Sequence, residues 1–140
     1  MEIEGLLTKA GCTQFTIGSD VETRRAMVQF KANNRIVRMV IALPNPSDQQ
    51  FTQHPRYKWQ KRPAGQVQKA VEQAERQRWR ALFLVIKAKL EAVESQIATF
   101  EEEFLPHIVL PDDTTVGSVV LPLVQAAYSG GRGLLQANNP

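Results

Sequence analysis

From residue 66 to residue 105 the chain contains neither glycine nor proline, and this stretch constrains the fold more than any other. Within it Trp79, Leu82, Ile86, Leu90, Val93 and Ile97 recur at steps of three and four, so a helix lines them on one face. The spacing predicts one long helix over 66–97, basic where it begins, apolar in its middle and acidic where it ends. Thr99, with Glu102 three residues on, reads as a capping box, so a second short helix from Thr99 competes with one unbroken rod through Phe100 and Phe104. Pro106 disfavours helical geometry at Leu105 and ends either version. Phe83, Leu84 and Val85 add apolar side chains off the main stripe. A helix apolar on most sides over two turns has to be covered on most sides, by the C-terminal segment or by a partner chain.

The segments before it change period from 3.6 to 2. Ile3, Leu6, Leu7 and Ala10 have helical spacing, with Gly11 as the stop. Residues 12–18 alternate, Phe15 and Ile17 on one face, and residues 19–23 read as a turn. Residues 25–32 and 35–43 alternate again around Asn33-Asn34, and asparagine tolerates positive φ, so a two-residue hairpin turn belongs here. That turn sets a register: Phe30 opposite Val37, Val28 opposite Met39, Ala26 opposite Ile41, all on one apolar face. The reverse face, which can be wet, pairs Gln29 with Arg38 and Lys31 with Ile36. The expectation is therefore an α+β fold: a three-stranded antiparallel meander packed on one long helix, with a short N-terminal helix and helical segments at the C-terminus.

Pro44-Asn45-Pro46 ends the sheet, and a loop of some twenty residues follows, a length usually either functional or disordered. Beyond Pro106, Ile108-Val109-Leu110 is a brief apolar run stopped by Pro111-Asp112-Asp113. Residues 116–128 read as helix, which Pro122 kinks or restarts and Gly130-Gly131 stops. Residues 1–128 form a single domain on this reading, and 129–140 a loose tail.

At 140 residues with 43% apolar and 22% charged content, the chain fits one soluble domain. No apolar run approaches the roughly 20 residues that cross a bilayer, and the start, Met1-Glu2-Ile3-Glu4, is acidic where an export signal is basic. Cys12 is the single cysteine, which excludes an internal disulfide and a multi-cysteine metal site. A cytoplasmic setting follows. The net charge of +3 is unevenly spread: residues 56–89 are rich in Lys and Arg, whereas residues 91–113 hold Glu91, Glu94, Glu101, Glu102, Glu103, Asp112 and Asp113 with no Lys or Arg among them. Such a split suits an anionic partner, or complementary ends that meet in self-association; a solvated surface is the plain alternative.

The sharpest candidate site is the second half of the long loop. There Arg56, Lys58, Lys61 and Arg62 interleave with Tyr57 and Trp59. Aromatic faces stack on bases for about 1–3 kcal/mol each, and the cations neutralise phosphates. The competing structural account tucks the aromatics onto the core and leaves only the cations in water. Arg76 and Arg80, sharing a helix face, can extend the surface, although Glu72 stands four residues before Arg76 and offers an ordinary ion pair. Trp79 fits a core anchor better than a stacking platform.

Other chemistries find less support. Glu101 to Glu103, His107, Asp112 and Asp113 are residue types that bind divalent cations, but in no known ligand spacing, and acids at a helix start are favoured by its dipole. Lys87, Lys89, Glu91 and Glu94 are nuclease residue types on a helix where a strand would be needed. His54, His107 and Cys12 lack a partner at a catalytic spacing, and no glycine-rich phosphate loop exists. No enzyme, cofactor, metal or small-molecule substrate is expected.

The C-terminal half resembles a family of small proteins encoded in phage and prophage genomes of actinobacteria and relatives. The resemblance rests on residues 79–82, 86–95 and 100–105, with 107–112 and Thr115-Val116-Gly117 also fitting. It implies a phage origin, and a bacterial host's cytoplasm as the setting, more than an activity. Gln96 and Asp113 depart from the pattern, which usually places glycine there; Gln96 eases an unbroken helix through Ile97. Three strands followed by a helix is also loosely similar to the core of single-strand annealing proteins. Two functions are carried forward: a non-enzymatic nucleic-acid-binding accessory protein of phage replication or recombination, with single-stranded DNA as the favoured ligand, and a protein–protein module. The second is either a homo-oligomer or a phage inhibitor of a host protein, with Phe83, Leu84 and Val85 at the interface.

Overall fold

The structure, a computed structural model, describes residues 2–130. Its fold is α+β, with a three-stranded antiparallel sheet, one long helix and short helices before and after them. Helix α1 (Glu2–Lys9) buries Ile3 and Leu7 and ends at Gly11, whose φ of +90° lets the Cys12 N–H reach back to the Leu7 carbonyl. Strands β1 (Gln14–Asp20), β2 (Arg25–Ala32) and β3 (Arg35–Ala42) follow in meander order. Strand β1 begins two residues later than the alternation indicated, because residues 10–12 are spent on closing α1.

Asn33 and Asn34 both adopt positive φ, 53° and 57°, the conformation a two-residue hairpin turn demands. The register is the one the turn predicts, with Phe30 opposite Val37, Val28 opposite Met39 and Ala26 opposite Ile41. On the reverse face Gln29 accepts a hydrogen bond from Arg38.

Helix α2 (Gln49–Thr52) gives the expected loop a first turn of structure, anchored by buried Phe51. Helix α3 (Ala64–Glu94) then crosses the sheet, Leu82 and Ile86 entering one core with Val28, Phe30, Val37 and Met39. The rod is broken, not continuous. Gln96 has φ +65°, its N–H donates to Val93 and that of Ile97 to Ala92, the closing pattern usually built on glycine. Ile97 is consequently solvent-exposed and the apolar stripe ends at Val93.

Helix α4 (Phe100–Phe104) starts on the Thr99–Glu102 capping box and closes the far end of the core. Phe104 meets Phe30 edge-on at 5.7 Å and Phe100 at 4.8 Å. A 3-10 turn (Leu105–His107) carries the chain to β3, where Val109 donates to the Ile36 carbonyl and Ile108 bridges Val37. Residues 110–114 form a tight turn with Asp113 at φ +69°. Arg38 clamps this turn to the sheet, donating to the Asp113 carbonyl at 3.0 Å and carboxylate at 2.6 Å. Helix α5 (Val116–Tyr128) runs through Pro122 without stopping. It packs mainly on the 3-10 turn, so it is not the cover expected for the off-stripe side chains of α3. Gly130 closes it, and most of the expected tail lies outside the described residues. No described helix is long and apolar enough to cross a membrane.

Candidate nucleic-acid interface

The basic-aromatic segment is a tongue closed at its base. Gln53 bridges Lys61 in antiparallel fashion, the Arg62 N–H donates to the Thr52 carbonyl at 2.7 Å, and the His54 N–H donates to Gln60 at 2.9 Å. Phe51 buries the anchor on one side, and Pro63 starts α3 on the other. At the tip the Gln60 N–H returns to the Tyr57 carbonyl. His54 organises the interior of the loop: its Nδ1 accepts from the N–H groups of Arg56 at 3.1 Å and Tyr57 at 3.0 Å, as an aspartate would in a turn. Sequence reasoning missed this role, because the side chains whose spacing announces such a turn are Asp, Asn, Ser and Thr, not His.

The aromatics lean on one another and not on the core. His54 and Tyr57 rings are 5.2 Å apart, as are those of Tyr57 and Trp59, and neither Tyr57 nor Trp59 joins the buried cluster. Trp59 remains 78% exposed and Tyr57 42%. Arg56, Lys58 and Lys61 are exposed and Arg62 is half-buried; among the described residues none of their side chains makes an ion pair or hydrogen bond. The tongue therefore presents an indole face flanked by free cations, a combination that can stack a base and neutralise its phosphates.

The helix arginines are otherwise engaged. Arg80 donates to Glu2 at 2.9 Å and lies over the Phe83 ring, fastening α1 to α3. Arg76 donates to Gln73 at 2.8 Å, whereas Glu72 accepts from Gln68, so the expected Glu72–Arg76 pair does not form. Both arginines lie about 18–24 Å along the axis from the start of α3, at 1.5 Å per residue. Arg78 turns to the opposite side and donates to the Ala42 carbonyl. Trp79 is half-buried against the core.

Of the three interface candidates, Phe83 packs on the core, while Leu84 and Val85 stay 48% and 43% exposed.

The acidic residues after residue 100 are spent on structure. Glu101 accepts from Asn33, Glu103 pairs with Lys89, Asp113 pairs with Arg38, and Asp112 accepts from Thr114. Glu102 caps α4, and the bonds from Thr99 hold its carboxyl below the usual range. No group of three or more His, Cys, Asp or Glu is placed to hold an ion among the described residues. Burial raises the Cys12 thiol, which sits in the core as a small apolar side chain.

Compared with known proteins, the chain matches no family model, no curated protein and no solved structure.

Proposed function

We propose that this protein is a non-enzymatic nucleic-acid-binding accessory protein, of the kind phage genomes carry for replication and recombination, and that it takes single strands on the tongue at 53–62. The observation that carries the reading is Trp59, exposed at 78% and braced by Tyr57 amid cations that have no protein partner among the described residues. An apolar ring left in water on a hydrogen-bonded loop is disposed to stack on a base. Single strands fit because their bases are free to reach an exposed ring, whereas duplex bases are not. The phage setting comes from the resemblance of the C-terminal half.

The test is fluorescence anisotropy with a labelled oligonucleotide at two salt concentrations. Binding should weaken as salt rises, and Trp59→Ala should lower affinity by roughly five- to a hundredfold, the equivalent of about 1–3 kcal/mol for one stacked base. Neutralising Lys58 and Lys61 should flatten the salt dependence by about 0.7 in logarithmic slope for each phosphate left without its cation. Negligible binding at low salt, or an affinity indifferent to Trp59, would end the proposal.

The exposed apolar side chains of α5, Leu121, Leu123 and Tyr128 among them, favour the second reading, a protein–protein module. Under that reading, association with a protein partner persists after the tongue cations are removed.

A further inference from the structure

The tongue is held from within by one side chain. Among the described residues, His54 alone of residues 53–62 makes side-chain hydrogen bonds, and it accepts both of them at Nδ1. The donors are the backbone N–H groups of Arg56 at 3.1 Å and Tyr57 at 3.0 Å. A neutral imidazole has one acceptor nitrogen and one N–H, whereas an imidazolium has two N–H groups and no acceptor. Two donors converging on Nδ1 therefore fix the neutral ring with its proton on Nε2. A second proton has to go on Nδ1, where it faces both N–H groups and cancels both bonds.

The same ring begins a ladder. His54 lies 5.2 Å from Tyr57, and Tyr57 lies 5.2 Å from Trp59, so Tyr57 links the other two. His54 thus holds Tyr57 twice, at its backbone N–H and at its ring, and Trp59 leans on Tyr57 in turn. The base of the tongue is separate, since the Gln53–Lys61 bridge and the bond from Arg62 to Thr52 involve no imidazole. Releasing His54 loosens the tip and leaves the base, buried Phe51 and α3 in place.

The surroundings offer the charged ring no new anchor. The charged groups of its own segment, Arg56, Lys58, Lys61 and Arg62, are all cations. On the adjoining elements they are Asp48 ahead of α2, and Lys69, Glu72 and Glu75 in the first turns of α3. None of these carboxylates bonds to His54 among the described residues. We infer that His54 is a proton switch for the tongue: neutral, it positions Tyr57 and through it Trp59, and protonated at Nδ1 it releases both. The switch belongs to the free protein and holds whatever the tongue binds; its effect on affinity rests on the proposed function.

NMR on the isotope-labelled full chain tests the switch without a ligand. At about pH 8 the ring spectra should show His54 with its proton on Nε2 and none on Nδ1. Ring-to-ring contacts between Tyr57 and Trp59, seen at that pH as nuclear Overhauser effects, should vanish by about pH 5. His54→Asn offers a side-chain oxygen to the same N–H groups, as in an Asx turn, and takes up no proton; its ring contacts should persist throughout. His107, in the 3-10 turn, gives a ring signal of its own. A proton on Nδ1 at about pH 8 overturns the switch, as do ring contacts that survive to about pH 5 or that His54→Asn loses as the unaltered chain does.

Binding of an oligonucleotide reads the consequence. A tongue that only gains a charge binds an anion more tightly in acid. A tongue that releases Trp59 loses, as pH falls, the roughly five- to hundredfold advantage over Trp59→Ala, and His54→Asn retains that advantage. Negligible binding at both pH values ends the proposed function and leaves the switch standing on its spectra. Ring contacts indifferent to pH end the switch and leave the proposed function standing.

Discussion

Gln96 shows how a single residue can hold a strained conformation because its neighbours are satisfied by it. With φ at +65° it occupies the left-handed region that costs an L-residue with a side chain roughly 1–2 kcal/mol relative to the right-handed one. In return α3 is closed by hydrogen bonds from Gln96 to Val93 and from Ile97 to Ala92, and Thr99 is set to cap α4, which carries Phe100 and Phe104 into the core. Gln96→Gly should therefore stabilise the protein by about 1 kcal/mol, read as a higher urea midpoint with an unchanged slope. An unchanged or lower midpoint would show that the glutamine side chain has a compensating role of its own. Glutamine's helix propensity, taken at face value in the sequence, favours a continuous rod; burial of two phenylalanines outweighs a few tenths of a kcal/mol of propensity. Asp113 sits in the same region of φ but is a different case, since its carboxylate also binds Arg38, so glycine there would relieve strain and remove an ion pair together. Asn33 and Asn34 were legible because the turn and the flanking alternation agree on one register.

Among the elements, those with a long period of their own were readable and those that exist only through their neighbours were not. Strands β2 and β3 and helix α3 carry their hydrophobic pattern within themselves. Helix α2 is four residues long and holds a single buried side chain, Phe51, so no periodicity could announce it. The tongue is similar: its aromatics and cations were visible, but its closure depends on His54 accepting two backbone N–H groups and on the Gln53–Lys61 bridge. The attachment of α5 is the other element-scale feature hidden in the sequence. Gly117, in its first turn, lies against the 3-10 turn so closely that a Cβ built there would stand 2.8 Å from the Pro106 carbonyl oxygen. A backbone oxygen cannot rotate aside as a flexible side chain would. Gly117→Ala should push α5 off the 3-10 turn at a cost of about 1–3 kcal/mol, the range of overpacked interiors. Urea unfolding measures the destabilisation, and limited proteolysis should find α5 cut sooner; a variant with wild-type midpoint and cleavage rate would mean that Pro106 gives way freely.

At the scale of the whole molecule, the basic and acidic residues are segregated in the chain and the fold uses the two sets differently. Cations of the tongue are left without an ion pair among the described residues, while the acids after residue 100 close turns and caps. Stability should accordingly fade with acid in two windows. His107, half-buried in the 3-10 turn and facing Lys89, is held below its ordinary value, first by burial and then by the lysine's charge. A base whose folded pKa is lowered takes up its proton more readily unfolded. The contribution is intact above the ordinary imidazole value of about 6.5, and it is lost as pH falls from there through the folded value. Glu102, Asp112 and Asp20 are held down by hydrogen bonds from Thr99, Thr114, and Thr23 with Glu22 respectively, so their share is present above about 4 and disappears below it. A urea-midpoint profile against pH should therefore decline first just below 6.5 and again near 4. His107→Gln, uncharged throughout, should erase the upper step and leave the lower one. If the upper step persists in that variant, the proton responsible resides elsewhere.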